Sequence, residues 1–289
     1  MASHAILNFI LGRTPINLPA TWFVDFSSTP LGIDGIGVTP PTDPAWQRIA
    51  ITNNKTNFTV ASNRTVTLTS ELLGVVSTTN WNRMTHFMIY GSLTGNDMWF
   101  YGDLRAPGLD IQIDTIPWVP PNMNDFRYDI CGGSDNDMAI STPAANAILD
   151  YIFGQTPITI PPIFYLGSST TPITPDGVGI TEPVAAEYQR FILPNDKNTF
   201  SVAANKTITL ASEFRSPVSL TPWGNLTSFF ITDTPTGTGN IWWSGSFVHN
   251  RNVEVTTALT LIPNGFNWTL DSCIPTVTET SSLLMHGRR

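Results

Sequence analysis

The chain has 289 residues, room for one large or two ordinary domains, each able to bury its own core. Charged residues make up only 12% against a hydrophobic content of 41%, and Thr, Asn, Pro, Gly and Ser are plentiful, which suits a β-rich protein with a neutral surface. The net charge is −8 and the 14 Lys and Arg are scattered, which argues against nucleic acid; the apolar run at residues 6–11 is too short for a signal peptide or a membrane span, so a soluble, unsecreted protein is expected.

The chain opens with Ile6, Phe9 and Ile10 at i, i+3 and i+4, which predicts a short helix over residues 5–11. Gly12 closes it and Pro15 prevents its continuation. Residues 21–26 are aromatic and β-branched between proline-containing segments, and predict a strand. In residues 63–69, Val66 and Leu68 alternate with Thr, the period of a half-buried strand. Further strands are predicted at 86–90, 98–101, 109–113 and 126–130, with Leu93-Thr94-Gly95-Asn96 as a hairpin turn.

The same series is then written again. Ala5-Ile6-Leu7-Asn8 matches Ala147-Ile148-Leu149-Asp150, and Gly12-Arg13-Thr14-Pro15-Ile16 matches Gly154-Gln155-Thr156-Pro157-Ile158, both at an offset of 142 residues. That offset also carries Gln47-Arg48 to Gln189-Arg190, Phe58 to Phe200, Glu71 to Glu213, Trp81 to Trp223 and Cys131 to Cys273, with one short slip where Trp99 aligns with Trp242. A period of this kind outranks any single secondary-structure assignment. It predicts a mainly β fold of two tandem β-sandwich or jelly-roll-like modules, each preceded by a short N-terminal helix. The expected limits are 1–131 for the first module, 132–142 for a flexible linker, 143–274 for the second module and 275–289 for a tail. Thr142-Pro143 is expected to cap the second helix.

A catalytic reading needs titratable groups that converge, and few persist in both copies. Asp34 and Asp176 sit in Asp-Gly-Xaa-Gly, where a turn is favoured over a calcium ligand. Glu71 with Glu213 and Asp129 with Asp271 recur without a repeated His, Lys or second carboxylate, so no general acid–base pair emerges. His86 is matched by Ser228 and reads as an ordinary half-buried residue. The repeated Arg48 and Arg190, each after an aromatic, Trp46 or Tyr188, suit a stacking or salt-bridge element of the fold, favoured over an interface contact. The repeated tryptophans read as packing, with glycan binding through exposed aromatics as the sharper alternative. Cys131 and Cys273 read as two buried thiols rather than one disulfide. No catalytic, cofactor-binding or metal-ligating residue is assigned, no cofactor is expected, and the chain is read as a non-enzyme.

The module start, Ala-Ile-Leu followed by Asn8-Phe9 or Asp150-Tyr151 and closed by Gly-Xaa-Thr-Pro, leads to an aromatic strand and then to Ser27-Ser28-Thr29-Pro30 or Ser169-Thr170-Thr171-Pro172. This pattern resembles small structural proteins of tailed bacteriophages, and the resemblance extends over residues 81–102. It implies a virion component assembled in the host cytoplasm, most simply a capsid decoration or cement protein. Its implied partners are the major capsid protein or other virion proteins and further copies of itself, with a trimer expected at local threefold positions. A neck, tail or receptor-binding component is the alternative.

Overall fold

The computed structural model describes residues 2–12, 14–32, 36–104, 108–121, 125–127, 137–154 and 156–269. Helix α1 (Ala2–Ile10) leads into β1 (Thr21–Ser27), β2 (Ile49–Thr52), β3 (Thr65–Thr67) and β4 (Leu72–Leu73). Then come β5 (His86–Tyr90), β6 (Met98–Asp103), β7 (Trp118–Val119), β8 (Asp125–Arg127) and β9 (Asp137–Ile140). Helix α2 (Thr142–Ile152) precedes β10 (Ile163–Ser169), β11 (Phe191–Pro194), β12 (Thr207–Thr209) and β13 (Phe214–Arg215). The described chain closes with β14 (Gly224–Thr232), β15 (Ile241–Val253), β16 (Thr260–Leu261) and β17 (Asn267–Thr269). The protein is mainly β, with its strands in several sheets.

Strand pairing repeats in register. β1 lies between β2 and β5, with Trp22 opposite Ile51 and Phe26 opposite Phe87; β10 lies between β11 and β14, with Phe164 opposite Leu193 and Ser168 opposite Phe229. β3 pairs with β8 as β12 pairs with β17, and β4 with β7 as β13 with β16. Even the irregularities coincide: the β5–β6 ladder shifts between Ile89 and Tyr90, and the β14–β15 ladder between Ile231 and Thr232. Burial follows the period of two where one face meets the core, so β2 buries Ile49 and Ile51 while Ala50 and Thr52 face out.

Three expectations change. Residues 109–113 form no ladder strand: Leu109 and Ile111 are fully buried, but the backbone only bridges Leu109 to Met84 and offers the Ile111 carbonyl to Trp81 N–H. Alternating burial therefore imitated a strand there, and the paired segment is β7, several residues later. Second, Asp137–Ile140, read as part of a linker, is a strand lying between β15, antiparallel, and β17, parallel. It joins them in a seven-stranded sheet of order β11-β10-β14-β15-β9-β17-β12, whereas β2-β1-β5-β6 make a sheet of four. Third, the cap of α2 is Ser141, whose hydroxyl accepts from Ala144 N–H at 3.2 Å, one residue before Thr142. The expected limits at 131 and 274, with Cys131, Cys273 and the tail 275–289, lie outside the described residues.

The two helices cross between the halves. Asp150 of α2 accepts Ala61 N–H at 2.6 Å, Asn146 accepts Arg64 N–H at 2.7 Å, and Asn53 donates to the Ile152 carbonyl at 2.9 Å. In return Asn8 of α1 accepts Ala203 N–H at 3.2 Å, His4 accepts Lys206 N–H at 2.8 Å, and Asn195 donates to the Ile10 carbonyl at 2.9 Å. Every member of the first set lies 142 residues from its counterpart in the second, so the contact is isologous within one chain. Phe9 and Tyr151, equivalent to each other, stack at 5.2 Å where the helices meet.

Local sequence prepares this exchange. Asn63-Arg64 and Asn205-Lys206 take positive φ in two-residue hairpin turns, closed by Ser62 and Thr65 in one half and by Ala204 and Thr207 in the other. A left-handed Arg or Lys costs about 1 kcal/mol. The turn N–H it presents is the one the opposite helix accepts, which offsets that cost. Gly12 and Gly154, at φ of 67° and 68°, end the helices against the backbone carbonyls of Asn195 and Asn53, where a Cβ has no room. One continuous core cluster results, taking Ile6, Leu7, Ile10 and Leu11 from α1, Ile148, Leu149 and Ile152 from α2, and strands of both halves.

Candidate functional site

Arg48 and Arg190 are the repeated charged residues that the fold gathers into defined sites. Arg48 Nε donates to Asp25 Oδ2 at 3.1 Å, while Nη1 holds the carbonyls of Ser92 and Gly95 at 3.0 and 2.7 Å in the β5–β6 turn. Its guanidinium stacks on Tyr90 at 3.5 Å from the ring centre. Arg190 makes a bidentate pair with Glu182, at 3.0 and 2.7 Å, and holds the carbonyls of Thr234 and Gly237 in the β14–β15 turn. The preceding aromatic joins each cluster: Trp46 Nε1 donates to Asp25 at 3.0 Å and Tyr188 Oη to Glu182 at 2.9 Å. Burial pushes the Tyr188 phenol far above its ordinary value. The structural reading of the Gln-Arg motif is therefore the observed one.

The carboxylates in these clusters are not at equivalent positions. Asp25 corresponds to Gly167, and Glu182 corresponds to Pro40. The arginine stays and its partner comes from a different strand or loop. Gly167 follows from the same packing, since a Cβ there meets the ring of Phe230, which also lies under Arg190.

A second pair of carboxylates behaves alike. Asp43 accepts from Thr78 N–H and hydroxyl at 2.6 Å each, Thr79 N–H at 3.1 Å and Trp81 Nε1 at 3.2 Å. Glu187 accepts from Leu220 N–H at 2.7 Å, Thr221 N–H at 3.0 Å and Trp223 Nε1 at 3.4 Å. Asp43 corresponds to Ala185 and Glu187 to Ala45: the acid moves by two positions and lengthens by one methylene, yet caps the same turn. Burial pushes the Asp43 carboxyl up, but hydrogen bonds from Thr78, Ala45 and Trp81 outweigh it and hold the group far below the usual carboxylate range. For Glu187 the Thr221 N–H is the largest influence and, against burial, it brings the carboxyl down to about 2. Searching for acids that persist at matched positions misses all four. Searching for the Trp81 and Trp223 indole N–H groups, which need acceptors when buried, is the signal that could have found two of them.

The remaining candidates do not converge with these clusters. His86 Nε2 pairs with Asp103 at 2.9 Å and Nδ1 with the Thr85 hydroxyl at 2.7 Å. Glu71 accepts from Trp118 Nε1 at 2.8 Å. Asp176 and Glu213 are exposed, and Asp34, Asp129 and Asp271 lie outside the described residues. Trp81, Trp223 and Trp242 are buried, so they present no face to a glycan. Trp81 packs edge-on to Trp46 at 4.7 Å, Trp223 to Tyr188 at 5.2 Å, and the half-buried Trp99 to Trp22 at 5.3 Å. Beside the Arg190 turn, an open cleft of about 650 Å³ is lined by Thr159, Pro161, Asp233, Thr234 and Asn240. Among the described residues no group of three or more His, Cys, Asp or Glu is placed to hold a metal ion.

These clusters bind turns to strands; they carry no nucleophile with an adjacent base. The family described as podophage GP4 fiber I protein gp80 matches residues 1–116 and 139–269. The chain belongs to this family. No curated protein matches it. Family membership makes the protein a structural component of a tailed-phage virion. Among the described residues no helix is long and apolar enough to cross a membrane.

Proposed function

We propose that this chain is a non-enzymatic fibre component of the phage tail, built from two tandem β modules whose N-terminal helices each bridge both halves. The observation that carries the reading is the match of residues 1–116 and 139–269 to a podophage fibre family. It shifts the expected position from the head surface, where a decoration or cement protein would sit, to a fibre. The architecture supports it. A fibre transmits force, and a chain whose helices each pack on both halves cannot be pulled into separate modules without unfolding a core that both share.

The surface also suits assembly. Ile36 with Val178, Val60 with Val202 and Val76 with Val218 are exposed apolar residues at matched positions in the two halves, although many charged residues have moved. Repeated exposed apolar positions suit protein–protein contacts offered twice by one chain, to further copies or to other virion proteins. The test is microscopy of purified virions labelled with an antibody to this chain. Label along tail fibres is expected; label over the head surface would return the protein to capsid decoration, and unlabelled virions carrying no such chain by mass spectrometry would remove both readings.

A further inference from the structure

The two helix contacts differ in two acceptors: Asp150 is matched by Asn8, and Asn146 by His4. At the α2 contact the acceptors are the amide of Asn146, the carboxylate of Asp150 and the carbonyl of Ile152. At the α1 contact the position of Asn146 is taken by His4, whose Nε2 accepts Lys206 N–H at 2.8 Å. A backbone N–H only donates, so Nε2 must keep its lone pair and the ring proton must sit on Nδ1. Imidazolium has no acceptor. Once protonated, His4 would aim N–H at N–H.

We propose that His4 is a pH-sensitive latch: protonation at Nε2 loosens helix α1 from the second half while helix α2 keeps its hold on the first. The proton comes from solvent, which half-buried His4 can meet. The Lys206 N–H is the group that faces Nε2, and α1 has no acidic residue in its first turn. Strand β12, packed against α1, is Thr207-Ile208-Thr209 and has no titratable group. Strand β6, also packed against α1, carries Tyr101 and Asp103, and Asp103 is paired with His86. Docking on this N–H therefore needs the neutral ring, and a proton on Nε2 works against it. His86 works in the opposite sense, since its protonation strengthens the pair with Asp103.

The test is made on the full chain by nitrogen-detected NMR and native-state amide exchange at pH 8 and pH 5, with rates corrected for intrinsic exchange. At pH 8 the His4 ring should carry its proton on Nδ1. Between pH 8 and pH 5 the Lys206 amide should lose about tenfold in protection, the scale of one backbone donor left unpaired, while the Arg64 amide changes little. His4→Gln, whose Oε1 can stand near the place of Nε2, should abolish the difference. A proton on Nε2 at pH 8, equal responses of Lys206 and Arg64, or an unchanged response in H4Q would each overturn the latch. If H4Q fails to fold, the tautomer and the Lys206–Arg64 comparison in the parent decide alone.

Discussion

Phe153→Ala tests the helix exchange directly. The side chain sits at the end of α2 in the second half of the sequence, yet its ring packs against Phe58 at 4.7 Å, Phe100 at 5.6 Å and Trp22 at 6.2 Å, all in the first half. It is fully buried, and truncating a buried Phe to Ala costs about 3–5 kcal/mol, combining lost transfer energy with a residual cavity. At about 2–4 °C per kcal/mol for a chain of this size class, Tm should fall by roughly 10 °C. Hydrogen-exchange mass spectrometry then locates the damage. Peptides covering β1 and β3 should lose protection together with α2, while β10 and β12 keep most of theirs. Leu11→Ala, the counterpart in α1, should show the converse pattern and a cost of about 2–5 kcal/mol. If F153A instead loosened β10 and β12 and spared β1 and β3, the helix would belong to its own half and the interlocked core would be wrong.

The mobile carboxylates make further predictions. Asp43→Ala should lower Tm, and adding Ala45→Glu, which rebuilds the arrangement of Glu187, should recover part of the loss; a double variant no better than D43A in thermal melts would refute the equivalence. Both carboxyls are depressed, so their contribution is fully present above the ordinary values of 3.8 and 4.5 and is lost as pH falls through the folded values, about 2 for Glu187. An acid titration followed by tryptophan fluorescence should therefore shift to higher pH in Glu187→Gln. Arg48→Ala leaves Asp25, with 8% of its side chain exposed, without its counter-ion, and should cost about 3–5 kcal/mol by urea denaturation, with faster amide exchange in residues 92–95. Gly154→Ala forces a Cβ to within 2.6 Å of the Asn53 carbonyl at positive φ; strain of at least about 1–2 kcal/mol should appear as a lower Tm, and a neutral result would contradict the close approach of the halves.

Much of this molecule is legible in the sequence because the information is local. Alternation in residues 63–69, the aromatic strand at 21–26, the glycine after each helix and the turn between β5 and β6 all rest on side-chain period or backbone freedom that a short window contains. Duplication sharpened the reading, since Arg48 and Arg190 stood out only by comparison. The same device concealed the acids. Asp25, Asp43, Glu182 and Glu187 were invisible to a search at matched positions, because a carboxylate needs to reach its donors, not to start from one particular residue.

Amino-acid order alone determined that the chain is β-rich, that a series of residues recurs at an offset of 142, and where both helices and several of the strands lie, because period, propensity and turn chemistry act over a few residues. Tertiary structure decided that each helix packs on both halves, that Asp137–Ile140 completes a sheet instead of linking modules, and which acids neutralise the arginines. The hydrogen bonds between the halves join residues 76 to 202 positions apart, beyond the reach of any local pattern.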